Sequence, residues 1–269
     1  MRTLSHVYYD WRREQRAARH LAVPFARADH LHCDAERMAA PDLLDLVSVA
    51  FNNDRVIRHQ HRLLTKNFQD PFHYTVADNS SDAASAERIR EFCRTEGVAY
   101  VRLPAFPAAD GSASHGQALN WLWRNFLRCR QARWFGFLDH DVFPLRPTAL
   151  LPLLEQSPIY GRLQERGDRW YLWPGFCFYR SDFCRHARLD FRPVPLLDTG
   201  GGNWAPLYSR LEKSSLPPVP YGFIPLRDGA DVQADQMETF GDWLHTINAS
   251  GWKPSGGKNS LVEAYLSRY

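Results

Sequence analysis

The chain has 269 residues, enough for one large domain or two small ones around a sizeable core. Its 33 basic and 30 acidic residues leave a net charge of +3, too slight an excess for the polybasic surface of a nucleic-acid binder. The five cysteines, at positions 33, 93, 129, 177 and 184, are odd in number and lack CxxC spacing, which predicts buried or free thiols. The opening segment, MRTLSHVYYDWRREQRAARH, has no apolar signal-peptide core, and no run reaches the length of a membrane span, so the expected location is cytoplasmic. Residues 1–44 read as an Arg-rich helical or irregular extension. The expectation is a solvated helix, the other reading a segment that touches anionic lipid or an acidic polymer.

A regular rhythm begins near residue 45. DLVSVAF, ending at Phe51, is a β-branched apolar run without helical period, and RVIRHQHRLLTKNF places Val56, Ile57, Leu63 and Leu64 at helical spacing. FHYTVAD predicts a second strand. DAASAERIREFCRTEG predicts a helix capped by Ser81 or Asp82, with Ile89, Phe92 and Cys93 on its apolar stripe and Gly97 at its end. VAYVRLP is a third strand, SHGQALNWLWRNFLRCRQ a third helix and WFGFLDHDVF a fourth strand. Such alternation predicts an α/β fold with a mostly parallel sheet and helices on both faces. The second half is less regular: short strands around Gly and Pro in SPIYGRLQERGDRWYLWPGFCFYR, a Gly-rich loop LLDTGGGNW, an extended SSLPPVPYGFIPL, a short strand or turn in DWLHTINASGW and a terminal helix NSLVEAYLSRY. The expected organisation is 1–44 as extension, 45–147 as an α/β half and 148–269 as a second half, with one core shared by both.

Ligands of open parallel sheets bind beyond the carboxyl ends of the strands. There the sequence sets Phe51-Asn52-Asn53-Asp54, Asp78-Asn79-Ser80-Ser81-Asp82 and Asp139-His140-Asp141. Asp54 and Asp82 also read as helix caps. Asp139 and Asp141 start no obvious helix. In an extended chain their side chains share one face, and two close carboxylates repel unless a cation or a proton intervenes. Oxygen ligands suit Mg2+ or Mn2+. His140, pointing the other way, reads as a packing or polar contact. GxxxxGK[ST] and GxGxxG are both absent, which argues against a P-loop or a dinucleotide site.

In order and spacing, residues 45–250 resemble the GT-A-fold glycosyltransferases, particularly the inverting enzymes similar to family 2. LVSVAFNN resembles their first strand, YTVADNSSD the second, SHGQALNWLW the helix against the nucleoside, FLDHD the D-x-D motif and WPGFCFYR the strand lining donor sugar and acceptor. The resemblance implies a nucleotide diphosphate sugar donor, UDP-linked by default, and a saccharide or glycolipid-type acceptor. By it Phe51, Asn52, Asn53, Asp78, Asn79 and Asn120 would contact the nucleotide. Asp139 would face ribose and metal, Asp141 would bind the metal, and His245 would complete the Mn2+ or Mg2+ site. Trp173, Gly175 and Trp204 would line the sugar or acceptor region.

An inverting reaction needs a general base, with Asp182, Asp198, Asp228, Asp231 and Asp235 as candidates. Asp198 is preferred, because it opens a loop whose glycines admit close approach of a ligand; the other reading is an Asx-turn acid that orients Gly200–Gly202. Two rival functions use a related sheet: a catalytically inactive sugar-nucleotide binder, and a metal-dependent nucleotidyltransferase. The latter usually carries a Gly-rich loop after strand one, where this chain reads FNNDRVIRHQ.

Overall fold

A computed structural model describes residues 43–106, 108, 110–130, 132–225, 236–247 and 258–269. The expected extension thus lies outside the described residues except for its last two positions, as do Cys33, Asp228, Asp231 and Asp235. In chain order the structure forms β1 (Leu44–Ala50), α1 (Asp54–Asn67), β2 (Phe72–Asp78), α2 (Ala83–Glu96), β3 (Ala99–Arg102), α3 (Gly111–Leu122), β4 (Trp134–Asp139), β5 (Val142–Pro144), α4 (Leu151–Gln156), β6 (Ile159–Arg166), β7 (Arg169–Arg180) and α5 (Ser181–Arg185). It continues with β8 (Tyr221–Pro225), β9 (Gln236–Phe240), β10 (Trp243–His245) and α6 (Lys258–Leu266). Among the described residues no helix is long and apolar enough to cross a membrane.

The helices begin where capping chemistry allows. The side chains of Asn53, Asp82 and Asp110 accept from the backbone N–H groups of Val56, Ser85 and Ala113, satisfying donors that the first helical turn leaves open. Gly97 ends α2 at φ 68°, a left-handed backbone that glycine adopts without steric cost.

Six strands form the main sheet in the order β3-β2-β1-β4-β7-β6. The first four are mutually parallel, β7 runs antiparallel to β4, and β6 runs antiparallel to β7. Every residue of β1 is buried, as expected for a strand covered on both faces. The strand period divides its side chains between two cores. Val47 and Val49 pack with Phe135, Phe137 and the α3 residues Leu119 and Trp121. Leu44, Leu46 and Ala50 pack with Trp134, Leu138 and the helical residues Ile57, Leu64, Ile89 and Phe92. Both cores also draw on β7, so they combine residues from before and after position 147.

The structure corrects two expectations. WFGFLDHDVF is not a single strand: β4 ends at Asp139, His140 and Asp141 form a turn, and β5 enters a second sheet of order β5-β10-β9-β8. β1 pairs with β4 only as far as Val49↔Asp139, so beyond that register the chain is free to leave the main sheet. A third cluster, containing Val56, Leu63, Phe143, Met237, Leu244, Val262 and Leu266, packs the small sheet onto α1 and α6. The segment expected as short strands is instead one long hairpin, β6 and β7, with a register shift between Gly161 and Leu163.

Candidate active site

Adjacent parallel strands in the order β2-β1-β4 bring three polar tips to one edge, and backbone donors tie them together. Asn79 N–H donates to the Ala50 carbonyl (2.9 Å), Asn52 N–H to Ser80 Oγ (2.8 Å) and Phe51 N–H to His140 Nδ1 (3.1 Å). Asn52 sits at φ 52°, a conformation that Asn tolerates better than most side chains. Its amide donates to Ser81 Oγ and accepts from Asp82 N–H. Burial holds the His140 imidazole below its ordinary pKa despite the neighbouring Asp141 and Asp139. A neutral ring with an unprotonated Nδ1 is what the Phe51 N–H requires.

The turn after β4, rather than strand alternation, sets Asp139 and Asp141 side by side. Thr246 N–H donates to the Asp141 carbonyl at 3.0 Å, and β10 pairs with β5 so that His245 lies opposite Val142. His245 Nε2 therefore reaches to 3.5 Å from Asp141 Oδ1, while Nδ1 lies 2.8 Å from Glu238 Oε2. The Trp173 ring packs on the imidazole with centroids 4.7 Å apart. Burial disfavours a charged His245, but Asp141, the bond to Glu238 and Asp139 outweigh it and raise its pKa. Asp139, Asp141 and His245 each offer one ligand atom within 4.8 Å of the others. Two carboxylate oxygens and one imidazole nitrogen crowded together, Asp141 and His245 buried and Asp139 partly so, fit a divalent cation such as Mn2+; Mg2+ more commonly takes oxygen ligands alone.

These three residues line a cavity of about 470 Å³ together with Phe51, Asn79, Ser114, His115, Trp173, Asp198 and Thr199. His115 Nε2 lies 3.4 Å from Asp139 Oδ1. Asp198 is exposed, and its Oδ1 accepts from Thr199 N–H at 2.8 Å. The loop holding it depends on Gly200, at φ 90°, where a Cβ would stand 2.8 Å from the Leu172 carbonyl oxygen. The carboxylate does not make an Asx turn onto the glycines, because Gly200 N–H donates to the Phe191 carbonyl (2.7 Å) and Gly201 N–H to the backbone carbonyl of Asp198 (2.8 Å); Asp198 lines the cavity.

Of the residues singled out in the sequence, Phe51, Asn79, Asp139, Asp141, Trp173, Asp198 and His245 meet in this cavity. The others take different places. Asn52 and Asn53 line a separate cavity of about 280 Å³ with Arg55, His59 and Glu263. Asp78 is fully buried, with Oδ1 accepting from Ser80 N–H and Oδ2 from the Tyr100 hydroxyl, and with Arg102 Nη1 3.0 Å away. Asn120, also fully buried, donates to Asp190 Oδ1 (2.7 Å) and accepts from Phe191 N–H (2.8 Å). Gly175 makes room for Trp173, whose ring a Cβ would strike at 2.2 Å, and Trp204 packs edge-on against Trp170. Asp182 pairs with Arg180 at 2.7 Å. Sequence reasoning passed over His115, Thr199 and Glu238. His115 stood inside the quoted helix start SHGQALN, whereas nothing in the local sequence marks Glu238.

No protein-family model and no curated protein matches the chain. Among solved structures it is similar to the mannosyltransferase PcManGT from Pyrobaculum calidifontis in complex with GDP-Man and Mn2+, at 14% identity and a TM-score of 0.39, covering 66% of this chain and 52% of that one. It is also similar to the mannosyltransferase Ktr4p from S. cerevisiae (10% identity, TM-score 0.39, 66% of each chain covered). A third is the galactosyltransferase LgtC in complex with donor and acceptor sugar analogs (14% identity, TM-score 0.37, 52% and 59% covered). Each of these is a glycosyltransferase, and the chain spans about half the length of the first.

Proposed function

We propose that the chain is a metal-dependent GT-A-type glycosyltransferase that moves a sugar from a nucleoside diphosphate donor to an acceptor hydroxyl. One observation carries the reading: Asp139, Asp141 and His245, delivered by two different sheets, converge within 4.8 Å at a cavity beyond the carboxyl ends of parallel strands. When bound there, a divalent cation supplies compensating charge for the departing diphosphate. Asp139, Asp141 and His245 would hold it, and the nitrogen ligand favours Mn2+ over Mg2+.

The remaining roles fall to this chain's own groups. Phe51 and Asn79 line the cavity beside the strand tips and would face the nucleoside, uridine by default. Asp78 would act from beneath, its carboxylate already engaged by Ser80, Tyr100 and Arg102. Trp173 offers an aromatic face to a sugar. Asp198 would take the proton from the acceptor hydroxyl as that oxygen bonds to the anomeric carbon. The bond from that carbon to the diphosphate oxygen breaks at the same time, and its electron pair stays with the phosphate. Attack from the face opposite the leaving group inverts the anomeric centre. The acceptor would be a saccharide or a glycolipid-type hydroxyl, and the setting cytoplasmic.

Calorimetry with UDP, GDP and TDP, with and without Mn2+, tests the reading. Asp141→Ala should abolish the metal-dependent part of nucleotide binding and leave the circular dichroism spectrum unchanged; equal affinity in variant and wild type would refute the assignment. Turnover of the preferred donor with a panel of acceptors then separates an enzyme from an inactive binder.

A further inference from the structure

The imidazole of His245 is held from behind. β9 and β10 pair so that Glu238 lies directly opposite His245, and their side chains meet with Nδ1 2.8 Å from Oε2. Glu238 is itself held in place. Its Oε1 accepts from the Tyr221 hydroxyl at 2.7 Å and lies 3.6 Å from Arg162 Nη2, which also donates to the Tyr221 oxygen at 3.1 Å. The His245 ring packs against Trp173 and Phe240, with centroids at 4.7 and 6.2 Å. Glu238, Tyr221 and Arg162 come from three strands, and none of them lines the cavity with the three ligands.

We infer that Glu238 is the positioning residue of this site. Its ionised carboxylate only accepts hydrogen bonds, so it fixes the hydrogen of His245 on Nδ1 and turns the Nε2 lone pair toward the cation shared with Asp139 and Asp141. The inference rests on the reading of Asp139, Asp141 and His245 as a metal site. Tyr221 and Arg162 occupy the other carboxylate oxygen, so Glu238 is kept from rotating toward the ion and becoming a ligand itself. The imidazole then has one tautomer and one orientation before any ion arrives.

The test is Mn2+ titration of the full chain by calorimetry, without nucleotide. Glu238→Ala should weaken Mn2+ binding by about 10- to 100-fold, the usual cost of losing an outer partner of a ligating histidine. Glu238→Gln, whose amide oxygen still accepts from Nδ1–H, should stay near wild type. Wild-type affinity in Glu238→Ala overturns the inference. Equal losses in both variants also overturn it, because they would trace the effect to charge rather than to the hydrogen bond. A measurement on the unmutated protein covers the case in which Glu238→Ala fails to fold. With Zn2+ as a diamagnetic probe, the nitrogen NMR resonances of His245 should show a protonated Nδ1 and a metal-bound Nε2, and the reverse tautomer overturns the proposal. If wild type binds no Mn2+, or Asp141→Ala binds it unchanged, the metal reading falls and this inference falls with it. If Asp141→Ala loses binding while Glu238→Ala keeps it, only the inference falls.

Discussion

Asn120 separates contact from support at the scale of one side chain. Its buried amide spends both ends on Asp190 and Phe191. Asn120→Ala should therefore cost about 1–3 kcal/mol, because it takes the acceptor from the buried Phe191 N–H and one donor from the partly buried Asp190 carboxylate. Urea denaturation reads that loss, and nucleotide affinity should change far less. Asp198 is the contrasting case, exposed and facing the cavity. Asp198→Asn should keep donor binding and lower kcat by about 10²- to 10⁴-fold, the range associated with losing a general base. Steady-state kinetics beside donor calorimetry checks both halves of that expectation. A parallel fall in donor affinity would show that the bond from Thr199 N–H to the carboxylate, and not proton transfer, is what the residue contributes.

Among the elements, β4 shows what a tight strand pair demands. A Cβ at Gly136 would stand 2.2 Å from Phe178 Cδ1 on the antiparallel neighbour β7. Gly136→Ala should thus lower the urea midpoint by an amount equal to about 1–3 kcal/mol of overpacking. The strands and helices up to β4 were legible from local pattern: β1 is a β-branched apolar run without helical period, buried at every position, and α1 repeats Val56, Ile57, Leu63 and Leu64. The polar tips were legible for the same reason, since strand ends follow once the strands are found. The turn at His140 and Asp141 was not, because the change of sheet depends on where β1 stops pairing with β4, which is a fact about two distant segments. Glu238 was invisible on the same ground. Its partner His245 lies across a hairpin, and only the register of β9 on β10 brings them together. Asn120 and Asp78 had the right residue type for ligand contact, and burial alone assigns them to the interior.

For the molecule as a whole, acid is the revealing perturbant. Asp190 is desolvated by burial, yet Arg192 and Asn120 hold its carboxyl below the ordinary Asp value of 3.8. A group with a depressed folded pKa adds stability that is complete above its unfolded value and is lost as pH falls through the folded one. The melting temperature should accordingly hold near neutrality and drop below about pH 4, the region of the unfolded Asp pKa. Asp190→Asn should start lower and fall less steeply over that interval. Thermal melts of both proteins across a pH series check the sign.

The chain's passage from one sheet to the other at His140 and Asp141 has a mechanical consequence. Two acids hang from the seam and the imidazole hangs from the smaller ribbon, so an ion gripped by all three would work as a buckle across it. Loading with Mn2+ at 100 times its dissociation constant should add about 2.7 kcal/mol to the folded state. That gain should vanish when the clasp is cut on either ribbon, by Asp141→Ala or by His245→Ala, which differential scanning calorimetry would record as melting curves indifferent to the ion.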